Sequence, residues 1–157
     1  MATLTYTLTE KITLNGQDQG GTMTGTISNI DTVVKRIVTC PDASGDDTTI
    51  LGLFGATVGA DVDAMNFDVD HVKYIRVTNL HASSSVYVQA ITANDNFSLL
   101  LEAGKHFMMG DPEDAILGEA DATPAVASWE SLVTLQVYNA SGGDVQVEYL
   151  IASNSAA

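Results

Sequence analysis

The densest group of potential ligands in this chain is Asp61-Val-Asp-Ala-Met-Asn-Phe-Asp-Val-Asp-His71. Carboxylate oxygens this close together are the donor type that holds a hard cation such as calcium. The spacing of Asp61 to Asp70 is not that of an EF-hand loop, because the turn glycine and the closing glutamate are both missing. Asp alternating with Val in a strand places the carboxylates on one face, toward water, and a solvated face is the reading adopted.

Other candidate chemistry fares no better. His71, His81 and His106 stand apart, without the His-x-His or His-x-x-x-His spacing of a metal pair, so they read as surface or hydrogen-bonded histidines. Cys40 is the only cysteine, which excludes an internal disulfide and any multi-thiolate metal site; its neighbours suggest a buried strand end. Ser141-Gly-Gly is a turn, not the Gly-x-Ser-x-Gly elbow of a serine hydrolase. No Walker loop, dinucleotide fingerprint or zincin helix is present, and no pair of Asp or Glu is singled out for glycoside hydrolysis. Trp129, the only tryptophan, reads as a core or interface residue. The sequons at Asn96 and Asn139 are read as chance matches. Residues 1–15 lack the basic and apolar regions of a secretory signal, and synthesis in a cytoplasm is expected. The expectation is a protein that is not an enzyme, with no catalytic, cofactor-binding or metal residues and no cofactor.

Charge narrows the partners. Six Lys plus Arg against twenty Asp plus Glu give a net charge of −14, and no Lys or Arg follows Lys105. Such a chain repels phosphate backbones and anionic lipid surfaces, so neither nucleic acid nor membrane is an expected partner. No apolar run approaches the roughly 20 residues of a spanning helix.

The elements that position these residues are strands. Leu4, Tyr6 and Leu8 alternate with threonines, and Ile12 and Leu14 resume the same parity, so Thr3 to Leu14 reads as one strand. Asn15-Gly16 and Gly20-Gly21 are turn signals before a strand at Thr22–Ser28, and a third strand runs from Thr32 to Thr39 and stops at Cys40-Pro41. Thr48 to Gly55 does not alternate and is read as a short helical turn. Further strands are expected at Val72–Asn79, Ser85–Thr92, Phe97–Leu101, Lys105–Met109, Leu132–Tyr138 and Val145–Ala152, with Asp111 to Glu130 a long excursion between sheets. In Lys105–Met109 one of the two adjacent methionines must face outward, where it is available for a subunit contact. About nine strands without a βαβ rhythm predict an all-β, antiparallel β-sandwich, jelly-roll-like, forming a single domain over residues 1–157. No internal repeat is apparent.

Thr3-Leu-Thr-Tyr-Thr-Leu-Thr9 with Leu14-Asn-Gly16, Val34-Lys-Arg-Ile-Val-Thr-Cys-Pro41, Val72-Lys-Tyr-Ile-Arg-Val-Thr-Asn79 and Leu99-Leu-Leu-Glu-Ala-Gly-Lys105 through Met109-Gly110 resemble small virion proteins of marine tailed bacteriophages, especially those of cyanobacteria. The resemblance implies a β-sandwich subunit located in the virion. It further implies a capsid decoration (cement) protein contacting the major capsid protein or other virion proteins, as a homo-oligomer. A tail or fibre component is the alternative within that class. Outside it, a β-sandwich module recognising a host glycan would require exposed aromatic residues on one face.

Overall fold

The computed structural model describes residues 1–42, 50–54, 71–92, 96–110, 132, 134–139 and 141–154. Every element within them is a strand: β1 (Ala2–Glu10), β2 (Thr13–Leu14), β3 (Gln17–Asp18), β4 (Gly21–Ile30), β5 (Thr32–Cys40), β6 (Ile50–Phe54), β7 (Val72–Asn79), β8 (Val86–Ile91), β9 (Asn96–Leu101), β10 (His106–Met109), β11 (Thr134–Tyr138) and β12 (Val145–Ser153).

Eight of these strands build two four-stranded antiparallel sheets. The front sheet has the order β10-β7-β12-β5 and the back sheet β6-β11-β8-β9. Period-two alternation gives each sheet an apolar face. Ile75 and Val77 of β7, Val145, Val147, Tyr149 and Ile151 of β12, and Val38 of β5 project inward from the front sheet. They join Val86, Val88 and Ala90 of β8 with Leu135 and Val137 of β11 in one buried cluster. The protein is thus an all-β antiparallel sandwich with its core between the sheets.

β5 is an edge of the front sheet, where a following Pro41 removes no ladder hydrogen bond. Of the adjacent methionines, Met108 lies on the outer face beside Arg76, and Met109 packs on the core.

Two sequence expectations are corrected. Residues 50–54 form strand β6, not a helical turn. Phe54 pairs with Leu135 but Gly52 with Gln136, so β6 holds one extra residue, and a bulge of this kind breaks the period-two count that identifies a strand. The single strand expected over Thr3–Leu14 is instead interrupted after Glu10, and Thr13–Leu14 turns through Asn15 (φ 52°) and Gly16 (φ 79°) to pair with Gln17–Asp18. Both φ values are positive, as a two-residue hairpin turn requires. The Asp61–Asp70 cluster, Trp129 and the 111–130 excursion lie outside the described residues.

The remaining strands form an arm. β1 and β4 pair antiparallel as a two-stranded ribbon whose far end carries the β2–β3 hairpin. One ribbon face is apolar, with Leu4 opposite Ile27 and Leu8 opposite Met23; the other is a threonine ladder, Thr5 opposite Thr26, Thr7 opposite Thr24 and Thr9 opposite Thr22. Tyr6 lies opposite Gly25, and a Cβ at that position would collide with the Tyr6 ring, so glycine is what lets the ring lie across the ribbon. At the root, Ala2 pairs with Ile30 and Leu4 with Ile27, a bulge on β4 that contains Asn29 in the left-handed region (φ 63°). The Asp31 N–H then donates to the Ser153 carbonyl at 3.0 Å, joining the root to β12.

Candidate functional site

The root of the arm packs against the outer face of the front sheet. Ile30, Tyr74 and Ala152 form a small buried cluster flanked by Leu4, Ile27 and Leu150, and the Tyr6 and Tyr74 rings stack at 6.0 Å between centroids. Beyond that stack the ribbon and the sheet enclose a cleft of about 700 Å3. Leu4, Tyr6 and Leu8 form its arm wall, and Arg76, Met108 and Leu150 belong to its sheet wall, where His106 and Glu148 also face it.

An ion triad sits on this outer face. Arg76 Nη2 lies 2.6 Å from Glu148 Oε1, and Lys35 Nζ lies 3.0 Å from Glu148 Oε2. The Glu148 carboxyl is held below the usual glutamate range by its hydrogen bond to Lys35, reinforced by Arg76 and opposed by partial burial. Arg76 Nε is buried without a hydrogen-bond partner. The cleft therefore presents apolar walls around a neutralised carboxylate and a guanidinium.

Positive charge is segregated onto this sheet. Lys35 and Arg36 are on β5, Lys73 and Arg76 on β7, and Lys105 directly precedes β10; Lys11, on the arm, completes the six. The four strands of the back sheet contain no charged residue. On that sheet's outer face Tyr138 pairs with Tyr87 and Tyr87 with Leu100, and the two tyrosine rings lie 6.0 Å apart. Thirteen of the twenty acidic residues fall in residues 42–70 and 111–130, which contain no Lys or Arg.

The histidines do not come together on one element. His71 precedes β7 and its Nδ1 lies 3.3 Å from Asn154 Oδ1. His81 sits in the β7–β8 connection, where its Nδ1 accepts from the Ser83 and Ser84 N–H groups at 3.1 and 2.8 Å. His106 is exposed on β10. Among the described residues no three His, Cys, Asp or Glu side chains converge on a metal-sized site.

Cys40 ends β5 and is fully buried, its thiol donating to the Val137 carbonyl across the core at 3.6 Å. Burial pushes the thiol up to about 11; the Asp144 carboxylate acts in the same direction, and a hydrogen bond from the Asn139 backbone opposes both. A thiol so protonated is a poor nucleophile. Ellman's reagent at pH 8 is expected to leave the native chain unlabelled over the minutes in which it consumes the unfolded chain. Equal rates for the two would show that Cys40 is accessible.

Sequence reasoning passed over two buried asparagines. Asn79 Nδ2 donates to the Ser84 and Leu101 carbonyls at 2.8 and 3.1 Å, while its Oδ1 accepts from His81 N–H at 3.0 Å. Asn139 Nδ2 donates to the Cys40 and Gly143 carbonyls at 2.9 and 2.8 Å, and its Oδ1 accepts from Ser141 N–H at 3.0 Å. Each side chain closes a turn two residues on and also ties its strand end to the opposite sheet: Asn79 of β7 to β9, and Asn139 beyond β11 to β5. The available signal was an apolar strand ending in Asn with a Ser-rich or Gly-rich turn behind it. Glycosylation at Asn139 is incompatible with this geometry, because both Nδ2 hydrogens are engaged in a buried site.

Comparison of the chain with protein-family models, with curated proteins and with solved structures gives no match. Fold and site define a class by themselves: a two-sheet antiparallel sandwich carrying a β-ribbon arm against the outer face of one sheet.

Proposed function

We propose that the chain is a structural protein of a bacteriophage virion, acting as a capsid decoration protein through contacts with the major capsid protein and with copies of itself. The observation that carries this reading is the arrangement of a sandwich with an outlying ribbon. The strand orders β10-β7-β12-β5 and β6-β11-β8-β9 support reading β5 to β12 as jelly-roll-like, an architecture that recurs in viral capsid and lectin domains. A two-stranded ribbon is marginal in water by itself, and this one leaves Leu8, Ile12, Leu14 and Met23 exposed. A subunit that joins others gains from such an arm. The net charge of −14 opposes indiscriminate association of subunits.

A second reading, a host-glycan module in a tail or fibre, is favoured by the Tyr138-Tyr87-Leu100 row on the uncharged back sheet, since aromatic faces stack on sugar rings. Copy number in purified particles, measured by quantitative peptide mass spectrometry against the major capsid protein, separates the two. A ratio near capsid stoichiometry is the expected result. A far smaller ratio would move the protein to a tail or fibre, and absence from particles would overturn the virion assignment.

A further inference from the structure

We propose that the arm tip of one copy, with Ile12 and Leu14 as its anchors, inserts into the cleft between the arm and the front sheet of a second copy. This rests on the building-block reading above and specifies the surface by which the blocks join.

The donor is the tip, residues 11–20, every one of which is exposed. Ile12 and Leu14 are 57% and 59% exposed although the alternation of Leu4, Tyr6 and Leu8 continues into them. Aliphatic side chains on a short hairpin contribute little to its own stability and, in water, each forgoes the burial energy available against an apolar surface. The acceptor is the cleft, which has apolar groups on both walls: Leu4, Tyr6 and Leu8 from the ribbon, Met108 and Leu150 from the sheet. Leu8 and Met108 remain 37% and 42% exposed there. The same sheet face already packs a β-ribbon at the root of the arm, where Leu4 and Ile27 meet Tyr74, Ala152 and Leu150. The cleft continues that interface toward His106 and Thr78.

Charge selects the occupant. The tip, with Glu10 and Asp18 against Lys11, is net acidic, and the outer face of the front sheet carries Lys35 and Arg76 against Glu148 and is net basic. On a chain of net charge −14 these two surfaces differ in sign, so the tip of a second copy is attracted to this face. Donor and acceptor are different surfaces of one chain, so the contact is head-to-tail and every copy offers both halves.

The test is sedimentation velocity on the full chain and two variants whose circular dichroism matches it. Ile12→Ser with Leu14→Ser removes the anchors and leaves the cleft intact; Met108→Glu places a charge in the cleft and leaves the tip intact. The unaltered chain is expected to self-associate at about 100 μM, and each variant alone to do so at least about a hundredfold more weakly. Mixing the two variants restores one intact tip and one intact cleft, so a dimer forms that neither makes alone and stops there. A monomeric unaltered chain, variants that associate as before, or a mixture that stays monomeric would each overturn the proposal. Any of these results with the chain abundant in particles leaves the virion reading standing. Association as described in a chain absent from particles does the reverse.

Discussion

Leu135→Ala is expected to lower folding stability by about 3–5 kcal/mol, whereas Leu100→Ala, in the same sheet, costs under about 1 kcal/mol. The two residues have the same side chain and both sit in regular antiparallel ladders, Leu135 opposite Ala90 and Leu100 opposite Tyr87. They differ in the face they occupy. Leu135 is 0% exposed within the cluster that joins the sheets, and Leu100 is 50% exposed on the outside of the back sheet. Truncating Leu135 removes transfer energy and opens a cavity between two sheets that close only partly around it. Truncating Leu100 leaves water where water already was. Urea unfolding followed by circular dichroism, with unchanged m-values, measures both differences. Equal costs for the two truncations would mean that the sheets do not share a core.

That contrast also marks how much was legible beforehand. Val72–Asn79 was readable to the residue because β7 is flanked on both sides in its sheet and Ile75, Val77 and Asn79 alternate into the core, the period breaking only at the register shift beside Val72. β4, β5, β8, β9, β10, β11 and β12 were placed within about two residues, by apolar alternation and by the turn residues between them. β6 was misread because a bulge inserts a residue opposite Leu135 and Gln136, and a local count of apolar spacing has no access to the partner strand. The hairpin at Asn15-Gly16 was announced by its turn residues, yet the alternation running through Ile12 and Leu14 made two strands look like one.

The site was less legible than the fold. Arg76, Glu148 and Lys35 are far apart in sequence and meet only because β12 lies between β7 and β5, a neighbour relation that strand patterns do not encode. The cleft likewise depends on the direction in which the arm folds back, set by the Asn29 bulge and the Asp31–Ser153 hydrogen bond. By contrast, the acidic and histidine groups that stood out first in the sequence are prominent through composition. Spacing along the chain gave no second ligand set for them.

Asn139→Ala is the second large effect expected, about 2–4 kcal/mol, although it removes no apolar surface to speak of. The loss comes from what remains: the Cys40 and Gly143 carbonyls, each deprived of its Nδ2 donor, and the Ser141 N–H, deprived of Oδ1. Asn139 is 0% exposed, so water does not reach the vacated positions without opening the β11–β12 connection. Asn139→Asp isolates the donor half of the argument. It keeps the shape and the acceptor for Ser141, but it replaces Nδ2 with an oxygen that faces two carbonyl oxygens and buries a charge, so it is expected to cost at least as much as alanine. Stability curves of the two variants against the unaltered chain decide the matter. An aspartate variant as stable as the parent would mean that the Cys40 and Gly143 contacts contribute nothing. If instead both variants fall together, the cross-sheet tie from β11 to β5 is a main restraint holding that end of the sandwich closed, and Asn79, which ties β7 to β9 in the same manner, acts as its counterpart.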